Sequence, residues 1–485
     1  MRELRVPSLK SDIFFYGTAI GAERFVSFLI IPLLTKTLPQ EIYGVWTQII
    51  ITTGLISPVI LLGFPSAMVR FMSGKKDNQE KSTLFHGMLG IESLNLFLVT
   101  ALIIIFKRFL GRVMFGDDRF FDFIYLFAFF LAADALFELT IAFLRADKQI
   151  RLLSIYSFLK NGIRIGILAL AILLFHIDLF HAIMFIVVAQ LLLIICVYIT
   201  HVFKKVGFNI YVRKVGWREI MLYSFPLIPY SIFIWANNFV DRFFILHILN
   251  INRVSIYAVS YSLASIIGIF YSILGFTLYP YMAALWNEGD KIGASEVLCK
   301  GIKYYFFFAV PSIAGLTILS APIIRIVSTS EYFSSLQVIF WLCLGMAVFG
   351  LYELNVFAIL LAKKTILNLK ITAVALVVNV ILNILMIPKI GIVGAAVATC
   401  ISNILLAFWT IAISRDYLTY VFPWRETGKI VFATLIMSLF LLTVIFSIAV
   451  SNFYTLSLTI ICALGIYASI DIVGKNSLIL ELVRR

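Results

Sequence analysis

Residues 12–38 read DIFFYGTAIGAERFVSFLIIPLLTKTL, and the fold turns on how this run is understood. From Ile13 to Leu34 it is nearly all hydrocarbon, yet Glu23 and Arg24 stand in its middle. A helix rises about 1.5 Å per residue, which puts Arg24 roughly 18 Å beyond Asp12. That is close to the centre of an apolar slab about 30 Å thick. A charge facing lipid at that depth costs from about 3 to over 10 kcal/mol, so such side chains turn towards a bundle interior or a wet cavity. The run is therefore a membrane span that lines something polar. A secretory leader would be shorter, would lack the ion pair and would carry a small-residue cleavage site.

The remaining composition agrees. Of 485 residues, 62% are hydrophobic and 13% charged, with a mean hydropathy of +1.03, which places the chain among polytopic membrane proteins. A net charge of +14 would raise nucleic-acid binding in a soluble protein. Here the positive residues fall mainly in short loops between apolar runs, so they read as a topology signal and no nucleic-acid partner is expected. The 45 phenylalanines suit lipid contact and interhelical packing. Cys196, Cys299, Cys343, Cys400 and Cys462 lie singly and show neither metal-ligand spacing nor a disulfide framework. No metal site is expected.

Apolar runs of spanning length recur at roughly 13–38, 42–69, 84–106, 120–144, 152–175, 182–203, 219–240, 253–281, 304–327, 336–362, 366–388, 391–414, 429–450 and 454–474. The fold class is thus all-α, with about fourteen transmembrane helices. Lys and Arg cluster at alternate ends of these runs, as at Lys75, Lys76 and Lys81, Lys204 and Lys205, or Lys363 and Lys364. They outnumber those at the opposite ends by roughly three to one, so both termini are expected in the cytoplasm. The long basic loop after the sixth run divides the chain into similar halves. The expected domains are a six-helix lobe at 1–203, a basic cytoplasmic linker at 204–218, a second six-helix lobe at 219–414, and a helix pair with a cytoplasmic tail at 415–485. Parallel repeats of this kind put a substrate path between the lobes.

Charges deep in the spans carry the functional signal. Lys160 and Arg164, about 12 and 18 Å into the fifth run, share a helix face at spacing i, i+4. Asp134 and Glu138 do the same in the fourth run, Glu353 sits near the middle of the tenth, and Glu92 lies somewhat into the third. Lys370 is one turn deep and can reach the interface. Buried ion pairs, Asp134 with Arg164 for example, are one reading. The other is a hydrated, partly cationic cavity in the first lobe, favoured because stability alone would be served by apolar packing. Arginine's planar fork suits an anionic headgroup, phosphate above all. The acids could titrate and couple transport to protons, or bind sodium. Asp241 and Arg242, at the outer end of the seventh span, are either a gate or ordinary interfacial charges. Tyr230, Trp235, Tyr257, Tyr261 and Tyr271 offer sugar-stacking faces or core packing. Pro226, Pro229, Pro311 and Pro322 permit bending, and Asn379 and Asn383 suit interhelical hydrogen bonds. No catalytic constellation is visible: the five histidines are scattered, and no nucleotide-binding loop or HExxH motif occurs.

One resemblance spans nearly the whole chain. Tyr16-Gly17, then Phe28 through Pro39-Gln40-Glu41-Ile42-Tyr43-Gly44, and Gly63-Phe64-Pro65-Ser66 resemble the start of the polysaccharide-transporter branch of the MOP (MATE-like) superfamily, the Wzx-type flippases. Asp241-Arg242-Phe243, Ser255-Ile256-Tyr257-Ala258, Gly289-Asp290, and Asn379, Asn383, Ile387-Pro388 with Gly391-Ile392-Val393-Gly394-Ala395-Ala396 are similar too. The resemblance implies two six-helix lobes that flip an undecaprenyl-pyrophosphate-linked oligosaccharide (an O-antigen, capsule or exopolysaccharide unit) to the outer leaflet by alternating access. It also implies no enzymatic activity, no cofactor beyond coupling protons or sodium, a bacterial inner-membrane location, and polymerase and chain-length proteins as pathway partners. Arg24, Lys160 and Arg164 match the family's cavity cations by location. Rival readings are a MATE-like cation-coupled multidrug exporter, a lipid II flippase, and a membrane polymerase or ligase. The last would need a large outer loop, and the outer loops are all short.

Overall fold

A computed structural model describes residues 30–72, 75, 77–208, 216–447, 450 and 452–473, and their regular structure is entirely helical. In hydrocarbon no water is available to the backbone, so a helix, which bonds every N–H within its own segment, is the form these runs take. Thirteen helices among the described residues are long and apolar enough to cross a membrane. In the first half they are α1 (Gln40–Leu61), α2 (Asn78–Ile105), α3 (Phe123–Ala146), α4 (Ile150–Leu174), α5 (Leu179–Val206) and α6 (Trp217–Phe239). The second half contributes α7 (Ile266–Asn287), α8 (Lys291–Ile318), α9 (Ser330–Leu361), α10 (Thr365–Ile390), α11 (Ile392–Ser414), α12 (Trp424–Ser447) and α13 (Phe453–Ile472). The run that opens the sequence enters only at its end, as helix 30–37. Glu23 and Arg24 therefore lie outside the described residues.

Aspartates start several spans. Asp77, Asp178 and Asp290 each accept a backbone N–H from the first turn of α2, α5 and α8, satisfying donors a helix leaves open. The seventh span is broken at Phe225–Pro226, where proline has no N–H to give. The run expected at 253–281 is likewise two pieces, Ile251–Ala264 and α7. At the break the Ser265 hydroxyl bonds the Ser262 carbonyl at 2.7 Å, a local bond that competes with the helix ladder.

By packing, the chain divides into two compact units, residues 1–251 and 252–485. In the first, α3 is the central helix, with 72% of its apolar window buried. Helix α6 packs on α1 within this unit. Trp235 fills the notch at Gly54, where an added Cβ would lie 2.7 Å from the indole nitrogen. Phe64, Met68, Phe85, Phe143, Val197 and Val202 belong to one buried apolar cluster of the unit. Just after α3, Asp147 holds Lys81 at 2.8 Å and Lys205 in a second ion pair.

In the second unit α9 and α11 form the core. They approach most closely at Gly345, where a Cβ would stand 3.2 Å from the Cys400 Cα, the small-residue contact that membrane helices use. The asparagines expected to bond between helices do so: Asn379 Nδ2 donates to Ser402 Oγ at 2.9 Å, and Asn383 Nδ2 donates to Asn379 Oδ1 at 2.8 Å.

The two halves also share a detail. α3 and α9, six spans apart, both end at a lysine in the left-handed region, Lys148 and Lys363, each with φ of 60°. The backbone bonds match as well: Lys148 N to Arg145 O and Gln149 N to Leu144 O in one, Lys363 N to Leu360 O and Lys364 N to Ile359 O in the other.

Candidate substrate site

α3 presents Asp134 and Glu138 one turn apart, and α4 presents Lys160 and Arg164 at the same spacing, so two matched faces meet. The Lys160 Nζ lies 2.8 Å from Asp134 Oδ1 and 3.0 Å from Glu138 Oε1. An Arg164 guanidinium nitrogen lies 2.5 Å from the same Asp134 oxygen. Gln190 of α5 donates to it from 3.4 Å. Each cation also covers an aromatic ring of α3, Lys160 over Phe137 at 4.6 Å and Arg164 over Phe130 at 4.7 Å. These contacts fix two long side chains that would otherwise be mobile.

The cluster sits at mid-helix on every element. Asp134 is the twelfth residue of α3, and Lys160 and Arg164 fall in the middle of α4. Burial is graded: the side chains are 9% exposed at Lys160, 14% at Arg164, 17% at Asp134 and 39% at Glu138. Glu138 is the open edge. Two buried atoms have no partner, Arg164 Nε and Gln190 Oε1.

Of the expected cavity cations, Lys160 and Arg164 are both paired with carboxylates, and Arg24 lies outside the described residues. Within the cluster two acids balance two bases. The physical reason is depth, because an uncompensated charge at mid-membrane is far costlier than a paired one. The pair Asp134–Arg164 is formed, and Lys160 joins it from the same helix face. The arrangement can hold cations in place while counter-ions are exchanged. Among the described residues no group of three or more His, Cys, Asp or Glu could hold a metal ion.

The other expected residues lie elsewhere. Glu353 is a half-buried residue of α9, in the second unit. Asp241 and Arg242 are buried: they pair at 2.6 Å with both side chains 2% exposed. Arg242 also donates to the Asn238 carbonyl at 2.7 Å and stacks on Phe239. Adjacent opposite charges neutralise each other there, which permits burial. Tyr257 is fully buried. Trp235 packs on Gly54 and against Phe239 and Phe243. Tyr230 and Tyr261 are half-buried. Gln190 was missed in the sequence, although a lone amide in the very apolar run 182–203 was the available signal.

Residues 9–286 match the family described as polysaccharide biosynthesis protein. The chain belongs to that family. All four charged members of the cluster, and Gln190, lie inside the matched region. A relative from Haloferax volcanii, a probable low-salt glycan biosynthesis flippase, is 22% identical over 187 residues, 39% of this chain and 40% of its own length. The chain spans about a third to two fifths of the curated relatives it matches. Among solved structures, the lipid II flippase MurJ in an inward closed conformation aligns with a TM-score of 0.74 at 15% identity, covering 97% of this chain and 100% of that one. An inward-facing multidrug resistance MATE family transporter of the MOP superfamily aligns at 0.69 and 12% identity, over 81% of this chain and 94% of that one. This polysaccharide biosynthesis family member is a multi-pass membrane protein with the MOP-superfamily fold.

Proposed function

We propose that this chain is a flippase that carries a lipid-linked oligosaccharide across the membrane by alternating access. In its finer form the substrate is a glycan repeat unit on undecaprenyl pyrophosphate, moved from the cytoplasmic to the outer leaflet of a bacterial inner membrane, with both termini in the cytoplasm. The observation that carries the reading is the mid-membrane cluster in which Asp134 and Glu138 hold Lys160 and Arg164, inside the stretch that matches the family. Moving a pyrophosphate and several sugars through hydrocarbon needs a polar path, because each unsatisfied polar group costs several kcal/mol there.

In this reading the carboxylates are resting counter-ions. An arriving pyrophosphate offers more acceptor oxygens than Asp134 and exchanges with it on Arg164 and Lys160, whose directions are already fixed by Phe130 and Phe137. Arg24, outside the described residues, joins as a third cation. Coupling to protons or sodium runs through carboxylates of the set Glu23, Asp134, Glu138 and Glu353. Membrane lipids and the polymerase and chain-length proteins of the pathway are the partners.

The test is to delete the gene and analyse accumulated lipid-linked sugars. One repeat unit on its carrier should build up on the cytoplasmic side and surface glycan should be lost. Intact surface glycan with new drug sensitivity would favour a multidrug exporter, and accumulation of lipid II a lipid II flippase. Complementation with Arg164→Ala should restore protein to the membrane and not surface glycan.

A further inference from the structure

Glu92 is a buried carboxylate of the first unit that, unlike Asp241 with Arg242, has no ion pair among the described residues. Helix α2 begins at Asn78, six residues before the expected start of the run, so Glu92 falls at its midpoint, the fifteenth of 28 residues. Its exposure is 0%. Among the described residues neither carboxyl oxygen has a hydrogen-bond partner. The charge that bears on it is Glu138, of the same sign.

We propose that Glu92 is a proton-binding site, its carboxyl protonated in this conformation, and that proton exchange with the cluster through Glu138 couples ion movement to transport. An ionised carboxylate with no donor at mid-membrane would cost many kcal/mol, and such a group neutralises instead. Among the described residues, the elements packed against α2 supply no compensating cation at its level. α3 brings the acidic Glu138 within electrostatic reach of it. α1 has no charged residue after Glu41. Helix Phe64–Met72 carries Arg70, which is exposed. Lys107, Arg108 and Arg112 follow the far end of α2, at least about 22 Å along the axis. Lys204 and Lys205 meet its opposite end, where Lys205 is held by Asp147. On α2 itself, the His86 ring is bonded by Ser82 and Tyr198. A sodium ion would need several more oxygen ligands than this carboxyl is seen to have.

The consequence is electrostatic. With Glu92 protonated, Asp134, Glu138, Lys160 and Arg164 balance. When Glu92 gives its proton to Glu138, and Glu138 passes it to solvent from its 39%-exposed side chain, the set carries a surplus negative charge. An anion held by Lys160 and Arg164 is then repelled. A neutral Glu92 admits the anion and an ionised one expels it. The coupling half rests on the flippase reading, and the protonated carboxyl does not.

Two measurements on the full chain in lipid test it. In infrared difference spectra, the wild type should show a protonated carboxyl band that Glu92→Gln lacks and Glu92→Asp shifts. In proteoliposomes, with a short polyprenyl pyrophosphate bearing one N-acetylglucosamine as probe, a one-unit pH gradient should shift its accumulation about tenfold for one coupled proton. Glu92→Gln, which cannot ionise, should abolish that response and leave only slow movement down the probe's own gradient. Absence of the band at every pH overturns the proposal, as does a gradient response retained by Glu92→Gln or driven by sodium instead. A wild type that shows the band and moves no probe would sink the substrate reading while supporting the proton site.

Discussion

At the scale of single residues, the cluster's members are unequal. Asp134 is the hub, touching Lys160, Arg164 and Gln190. Asp134→Asn leaves Arg164 without its carboxylate and Lys160 with Glu138 alone, and breaking a buried pair in this way costs about 3–5 kcal/mol. Glu138 is 39% exposed and shares its cation with Asp134, so Glu138→Gln should cost no more than about 1 kcal/mol. Thermal unfolding of the two variants in detergent should rank them in that order, and equal losses would refute the hub. By the same logic Arg164→Ala leaves Asp134 with Lys160 at 2.8 Å, so it should fold while losing transport. The spacing of these four residues was legible in the sequence, since i, i+4 on two neighbouring spans brings opposite charges into register. Their mutual neutralisation was not, because whether α3 faces α4 with that side depends on packing. Glu92 shows the same limit: its place at the middle of α2 could not be read, because apolar content does not mark where a helix starts when Asp77 caps it earlier.

At the scale of elements, the ends of α3 and α9 carry the most testable physics. A lysine in the left-handed region bears a backbone cost of about 1–2 kcal/mol that glycine avoids. Lys363→Gly should therefore raise the unfolding midpoint, by up to about 1 kcal/mol once glycine's freedom in the unfolded chain is deducted; a fall would mean the lysine side chain matters more than its backbone. The end of α3 has a second device. Asp147 is pushed up by partial desolvation but more strongly down by hydrogen bonds from Lys205, Lys81 and Gln149, so its carboxyl titrates below the ordinary range. A depressed folded value means the native state binds the proton more weakly than the unfolded chain. Its stabilisation is thus present above the unfolded pKa of about 3.9 and is lost as pH falls from there through the folded value. Melting curves of Asp147→Asn should show a shallower decline than the wild type as pH is lowered from 5 to 3. None of this was visible beforehand, since a turn's handedness leaves no trace in hydropathy.

At the scale of the whole molecule, the Lys/Arg asymmetry makes a claim that packing does not address, namely that both termini are cytoplasmic. Reporter fusions at residues 1 and 485 should both be active only as cytoplasmic enzymes, and a periplasmic signal from either would break the even count of spans. The sequence by itself determined the class, the approximate limits of the thirteen described spans, and which of them carry deep charge, because hydrocarbon forces every apolar run of about twenty residues into a helix and makes each buried charge conspicuous. Only the tertiary structure decided which charges meet. It joined Asp134, Glu138, Lys160 and Arg164 into a balanced set, left Glu92 without a donor, and turned Asp241, Arg242 and Tyr257 inward. The physical reason is that lipid is as apolar as leucine, so hydropathy cannot say which face of a membrane helix looks inward; that is settled by small-residue contacts such as Gly54 with Trp235 and Gly345 with Cys400.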